Sequence, residues 1–335
     1  MPAPLRLVFL ATGPLAVPAI QAIAAAGRDQ LLAVVTQPPR PAGRRRQLTQ
    51  CPAAQTAAQL GIPLLQPENV NSETDPAALP ALRELRPDLL LVADYGQFLR
   101  APLLALPTIA AINLHPSLLP RFRGATPLQR TLLCGDQTTG VSILYVTARM
   151  DAGDVLDQVT VPVQPEETCP QLGLRLAMLG ARQLLAVLDR FRAARAPLPG
   201  TPQDESRVVL APLLSRADGQ VDWNRPAPAI YDQWRAFTPW PGIFTHLPDG
   251  TPLKLLQLSP PFRPPVAVPP GFTIDDAEAS ACAPGTVLAV CGPTLLVATA
   301  TTPLQVLLLQ PAGKPPMPPV ALVNGRRLAS GDRLA

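Results

Sequence analysis

Residues 5–36 read LRLVFLATGPLAVPAIQAIAAAGRDQLLAVVT, and the order of events in that stretch decides the fold class. Leu5–Ala11 is a short apolar run, Thr12-Gly13-Pro14 breaks it, Leu15–Ala26 reads as a helix, and Leu31–Thr36 is a second apolar run. Short apolar runs bounded by turn residues and separated by helical material are the signature of strands buried on both faces. The pattern recurs downstream. Ala53–Leu60 is helical, Asp88–Ala93 (DLLLVA) and Ile109–Asn113 (IAAIN) are buried-strand candidates, Gly140–Val146 gives another strand, and Pro170–Phe191 is a long amphipathic helix. The first half is therefore expected to be a doubly wound α/β domain with a parallel sheet, where ligands bind beyond the carboxyl ends of the strands.

The second half has a different pattern. Arg195–Glu205 (RAPLPGTPQDE) is Pro, Gly and polar residues without periodicity, a linker composition. Beyond it, Leu253–Leu258, Gly285–Val290, Leu295–Ala300 and Leu304–Leu309 are short β-like runs separated by turns, with one helix over Ala227–Phe237. That reads as a smaller, mostly β domain closed as a barrel. The expected boundaries are residues 1–197 for the first domain, 198–207 for the linker and 208–335 for the second.

Composition sets the class. At 335 residues, with 47% hydrophobic and 16% charged residues, the chain is long enough for about two packed domains and too apolar to be a charged disordered chain. Proline is abundant, 45 of 335 residues, against an average near 5%, which stiffens loops. Lys254 and Lys314 are the only lysines, so the net charge of +4 rests on arginine. Five cysteines without a C-x-x-C pair and only two histidines, His115 and His246, argue against a structural zinc site. The odd cysteine count reads as a reduced, cytoplasmic protein. No run reaches the length of a membrane span, and Leu5–Ala11 is too short for the core of a signal peptide.

The chemistry concentrates in Ile112–Pro127, INLHPSLLPRFRGATP, at the end of an expected strand. Asn113 and His115 are two residues apart and so point to one side of an extended chain. Asn offers an amide donor and His can donate or transfer a proton near neutral pH, a pair suited to a developing oxyanion. Asp151, in MDAGD over residues 150–154, follows the next strand and is placed to orient the imidazole. On spacing alone the pair can equally do no more than close a turn. Ser117 raises serine-based hydrolysis as an alternative, although no G-x-S-x-G elbow surrounds it.

The segment resembles the folate-dependent formyltransferase signature N-x-H-x-S-L-L-P-x-x-R-G-x-x-P, met by Asn113, His115, Ser117, Leu118, Leu119, Pro120, Arg123, Gly124 and Pro127. Its companion L-D-x-G-D element is matched at residues 150–154. The resemblance implies a Rossmann-like catalytic domain followed by an OB-like β-barrel. It also implies a catalytic trio of Asn113, His115 and Asp151. Folate contacts are implied at Ser117, Leu118, Leu119 and Pro120, and at Tyr95 and Gly96 within VADYG. The donor implied is 10-formyltetrahydrofolate, with no metal.

Gln37–Leu48, QPPRPAGRRRQL, is similar to the basic loop of the branch whose acceptor is methionyl initiator tRNA. Arg40, Arg44, Arg45 and Arg46 give it a density of charge suited to RNA phosphates. GQVDW at residues 219–223, RAFTPWPG at 235–242 and LQPAGK at 309–314 extend the likeness into the second half. The implied reaction is formyl transfer to the α-amine of methionine on initiator tRNA for translation initiation, by a cytoplasmic monomer. The alternatives are a related formyltransferase acting on an amino-sugar nucleotide or glycinamide ribonucleotide, a formyl-folate hydrolase, and a tRNA-binding protein with an inactive site. Pro39, Asp94 and Arg149 depart from the family pattern. Asp94 and Arg149 flank the folate and catalytic loops, and a pair between them is one expectation.

Overall fold

Leu7, Val8, Phe9, Leu10 and Ala11 are fully buried, and this is why strand β1 (Arg6–Ala11) has no polar face. Such a strand is stable only between two covering layers. Burial of Leu7, Phe9 and Leu10 contributes on the order of 5–9 kcal/mol of transfer free energy. The computed structural model describes residues 3–42, 47–261, 282–291, 293–325 and 327–335.

After a tight turn, α1 (Val17–Ala26) ends on Gly27, whose φ of +57° supplies the left-handed cap. The chain continues through β2 (Gln30–Val35), a short antiparallel pair β3 (Arg40–Ala42) and β4 (Gln47–Thr49), then α2 (Pro52–Gln59), β5 (Leu64–Leu65) and α3 (Leu79–Leu85). It proceeds to β6 (Leu89–Ala93), α4 (Ala101–Leu104), β7 (Ala110–His115), β8 (Arg121–Gly124), α5 (Pro127–Leu133), β9 (Thr138–Tyr145), β10 (Val155–Pro162) and the long α6 (Cys169–Ala194).

The main sheet has the order β10-β9-β7-β6-β1-β2-β5. The ladders from β5 to β7 are parallel, as expected, while β7–β9 and β9–β10 are antiparallel. The expected parallel sheet is thus a mixed one at this edge. From β1 the chain first builds outward through β2 and β5, then crosses back to place β6 and β7 on the other side. The reversal falls between β1 and β6, whose carboxyl ends are the usual ligand position in such sheets.

Two compact units divide the chain. The first comprises Met1–Pro127, Thr138–Val163 and Gln171–Pro212, and the second Leu128–Gln137, Gln164–Pro170 and Leu213–Ala335. The stretch that reads as a linker, 198–207, stays with the first unit. Leu198 N donates to Tyr145 Oη at 2.7 Å, Thr201 bridges Val155, and β11 (Val209–Ala211) pairs in parallel with β8. Its Pro and Gly content describes an irregular path rather than a free one.

The second unit holds α7 (Ala227–Phe237), then β12 (Ile243–His246), β13 (Pro252–Leu258), β14 (Val287–Cys291), β15 (Thr294–Val297), β16 (Leu304–Pro311) and α8 (Val320–Asn324). Its five strands form one antiparallel sheet in the order β12-β13-β16-β15-β14. The C-terminal residues join its two edges. Ala335 exchanges backbone hydrogen bonds with His246 on β12, while Asp332 O accepts from Val287 N on β14. This covers edges that would otherwise be left unpaired. Trp223 lies in this unit's core with its indole N–H donated to Thr245 Oγ1 at 3.0 Å, whereas Trp240 is exposed. Among the described residues no helix is long and apolar enough to cross a membrane.

Candidate active site

Strand β7 runs two residues beyond the expected Asn113 to include His115. Asn113 pairs with Val92 on β6 and Leu144 on β9, and His115 with Ser142 on β9. The strand therefore fixes both backbones and presents the two side chains on one face at its carboxyl end. Asp151 comes from the turn between β9 and β10, with a left-handed φ of +48°. That conformation is tolerated by Asp better than by most residues.

The three side chains converge. Asn113 Nδ2 donates to Asp151 Oδ1 at 3.1 Å, and His115 Nδ1 lies 3.6 Å from Asp151 Oδ2. The partner of the Asn113 amide is a carboxylate, so the nitrogen must face it. One of its two N–H groups is thereby used, and the other is left for an oxygen in the site. His115 is buried, with Nε2 2.9 Å from Phe122 O. A carbonyl only accepts, so Nε2 carries a hydrogen there. A second proton at Nδ1 would face Asp151, and the imidazole would then be bracketed by two acceptors.

Asp151 Oδ2 also accepts from Gly124 N at 2.9 Å. Gly124 has φ +122°, and a Cβ there would lie 2.6 Å from Ala211 O. Glycine alone satisfies both conditions. The turn between β7 and β8 is tied by one bond of its own and by two from β9 and β10. Ser117 Oγ donates to Arg121 O at 2.7 Å, Ser142 Oγ donates to Ser117 O at 2.6 Å, and Gln158 Nε2 donates to Leu119 O at 3.1 Å. Ser117 is fully buried. Its hydroxyl serves the turn and is not presented as a nucleophile, so the serine-hydrolase alternative has no geometric support.

Residues 5–188 match the family described as formyl transferase, and residues 213–327 match its C-terminal domain. The chain belongs to the formyl transferase family. A methionyl-tRNA formyltransferase from Roseiflexus sp. (strain RS-1) is 41% identical over 331 residues, covering 99% of this chain and 95% of that protein. One from Moorella thermoacetica is 38% identical over 330 residues, covering 98% and 99%. The crystal structure of a HypX variant from Aquifex aeolicus shares the fold with a TM-score of 0.61 at 16% identity. It covers 96% of this chain, which spans about half of HypX (48%).

The remaining sequence candidates fall in different places of this formyltransferase fold. Leu118 and Pro120 are half-buried and Leu119 is buried, in the turn that follows His115. Tyr95 and Gly96 follow the carboxyl end of β6, but the Tyr95 ring packs into the core with Val8, Leu10, Val35 and Leu90. Its buried hydroxyl has no hydrogen-bond partner, and burial pushes it above the usual tyrosine range. Its carbonyl accepts from Thr12 Oγ1 at 3.0 Å and from Gln37 Nε2 at 3.3 Å. What this position offers a ligand is thus backbone and shape rather than the ring. Gly96, at φ +76°, leaves space that Gln37 fills.

Arg40 is exposed on β3 and lies 3.5 Å from Glu68, itself exposed. Arg44, Arg45 and Arg46 lie outside the described residues. The expected Asp94–Arg149 pair gives way to another arrangement. Arg149 Nη2 meets Glu205 at 2.8 Å, and the Asp94 carboxyl lies over Gly13, where a Cβ would come within 1.5 Å of it. The missed partners, Gln203 and Glu205, lie in the stretch that reads as a linker, where no periodicity or motif marks them.

Proposed function

We propose that this chain transfers the formyl group of 10-formyltetrahydrofolate to the α-amino group of methionyl initiator tRNA, as a cytoplasmic monomer acting in translation initiation. The observation that carries the chemistry is the convergence of Asn113 and His115 on the two oxygens of Asp151. The acceptor rests on relatives named methionyl-tRNA formyltransferase that align over almost the whole of both chains.

In this reading the neutral methionine amine attacks the formyl carbon, forming the new C–N bond and a tetrahedral oxyanion. The free N–H of Asn113 donates to that oxygen, and a protonated His115, whose two N–H groups face Phe122 O and Asp151, stabilises it through its positive charge. Collapse breaks the bond to N10 of the folate, and the proton lost by the amine is delivered to N10. Asp151 holds both donors in register and balances the imidazolium charge.

The Ser117–Pro120 turn and the backbone at Tyr95-Gly96 are the proposed folate contacts. Arg40, Arg44, Arg45 and Arg46 are the proposed tRNA contacts. The Arg40–Glu68 pair is solvent-exposed on both sides, a weak tie that a phosphate can replace. The test is an acceptor comparison with donor saturating, using methionyl initiator tRNA, an amino-sugar nucleotide or water. Rapid formylation of the tRNA alone is expected. Preference for the sugar nucleotide, or release of formate without an acceptor, would overturn this assignment.

A further inference from the structure

Asp151 is aimed by more than its own side-chain bonds. The amide of Gln203 donates through one nitrogen to two backbone carbonyls of the same turn, Asp151 O at 2.8 Å and Gly153 O at 2.7 Å. These carbonyls belong to the Asp151–Ala152 and Gly153–Asp154 peptides, so the single amide pins two peptide planes of the turn. Gly153 is itself pressed against Tyr145 O, where a Cβ would lie at 1.9 Å.

The other end of Gln203 is also committed. Its Oε1 accepts from Arg123 Nε at 3.0 Å. A flipped amide would set an oxygen against two carbonyls and an N–H against a guanidinium, so only one orientation satisfies all partners. Arg123 is buried at 4% exposure and adjoins Gly124, whose N–H holds Asp151 Oδ2. Glu205 takes Arg123 through both terminal nitrogens, at 3.0 and 3.3 Å, and takes Arg149 from the Asp151 turn at 2.8 Å. A buried guanidinium needs such neutralisation.

We infer that Gln203 is a positioning residue for formyl transfer, a strut between the Asp151 turn and Arg123 that aims the Asp151 carboxylate at Asn113 and His115. The Glu205 clasp on Arg123 and Arg149 holds the strut in place. This rests on the formyl-transfer reading above.

The test compares the full-length protein with Gln203→Met, which keeps the length and loses the hydrogen bonds, and with Gln203→Asn, which keeps the amide but cannot span its partners. Misplacement of a reacting group by about 1 Å costs about 100-fold. Turnover of both variants is expected to fall by about 10- to 100-fold, with KM for folate donor and for methionyl-tRNA within about twofold of the unsubstituted protein. Hydrogen exchange should accelerate in the segments over residues 121–126 and 149–155, with Tm nearly unchanged. That readout requires no activity, so it stands even if the acceptor is misassigned. Failure of the unsubstituted protein to formylate methionyl-tRNA would instead count against the reading itself. Unchanged kcat and exchange in either folded variant would overturn the positioning role, as would a loss confined to KM.

Discussion

At the scale of single residues, Asp151 is the hub, receiving Asn113, Gly124 N and the Nδ1 side of His115 on one carboxylate. Gly124 shows how narrow the tolerance is. Its positive φ and the 2.6 Å approach of Ala211 O to any added Cβ strain an alanine there twice over. Gly124→Ala is expected to cost about 1–3 kcal/mol of stability and to reduce turnover in the folded fraction, because the N–H that holds Asp151 moves with the backbone. Denaturant titration alongside initial rates checks this. Wild-type stability and rate together would show that the backbone relaxes without cost.

At the scale of elements, the sequence identifies the strands whose apolar runs are bounded by turn residues. Leu5–Ala11 corresponds to Arg6–Ala11 and Leu304–Leu309 to Leu304–Pro311, while the helix read over Ala227–Phe237 has those bounds. The N-x-H pair and Asp151 are legible because two motifs keep their order and spacing. Gln203 and Glu205 are not, because their partners lie 50 to 82 positions away and the composition around them speaks only of an irregular path.

Glu205 gives a pH test of that clasp. Arg123 first, then Arg149, hold its carboxyl below the ordinary value of 4.5. A depressed folded-state value means stability that is present above the unfolded pKa and lost as pH falls through the folded one. Glu205→Gln should therefore lower Tm at neutral pH, and the gap to the unsubstituted protein should close as pH drops below 4.5. A gap that persists or widens in acid would mean that Glu205 contributes no charge-dependent stability.

The Arg40–Arg46 segment belongs to the same scale. Arg44 is expected to meet an acceptor-stem phosphate. Arg44→Ala should then weaken productive tRNA binding and flatten the salt dependence by roughly one unit for each phosphate left unneutralised, with donor affinity unchanged. Arg44→Lys should restore only part, since an ammonium lacks the bidentate guanidinium geometry. Identical salt slopes for all three proteins would remove this segment from the tRNA-binding surface.

At the scale of the whole molecule, a mixed sheet with its reversal between β1 and β6 carries Asn113 and His115 at the carboxyl end of β7, and a second unit carries an antiparallel sheet whose edges are joined by the C-terminal residues. In the proposed function, Asn113, His115 and Asp151 of the first unit perform formyl transfer to an amine carried by tRNA. The decisive measurement is single-turnover formylation of methionyl initiator tRNA, with donor saturating and tRNA binding measured in parallel. It compares the unsubstituted protein with Asn113→Ala, His115→Ala and Asp151→Ala. Each substitution is predicted to slow the chemical step by about 10²–10³ while tRNA affinity stays nearly intact. Near-normal single-turnover formylation by folded His115→Ala would mean that the imidazole does not carry the chemistry.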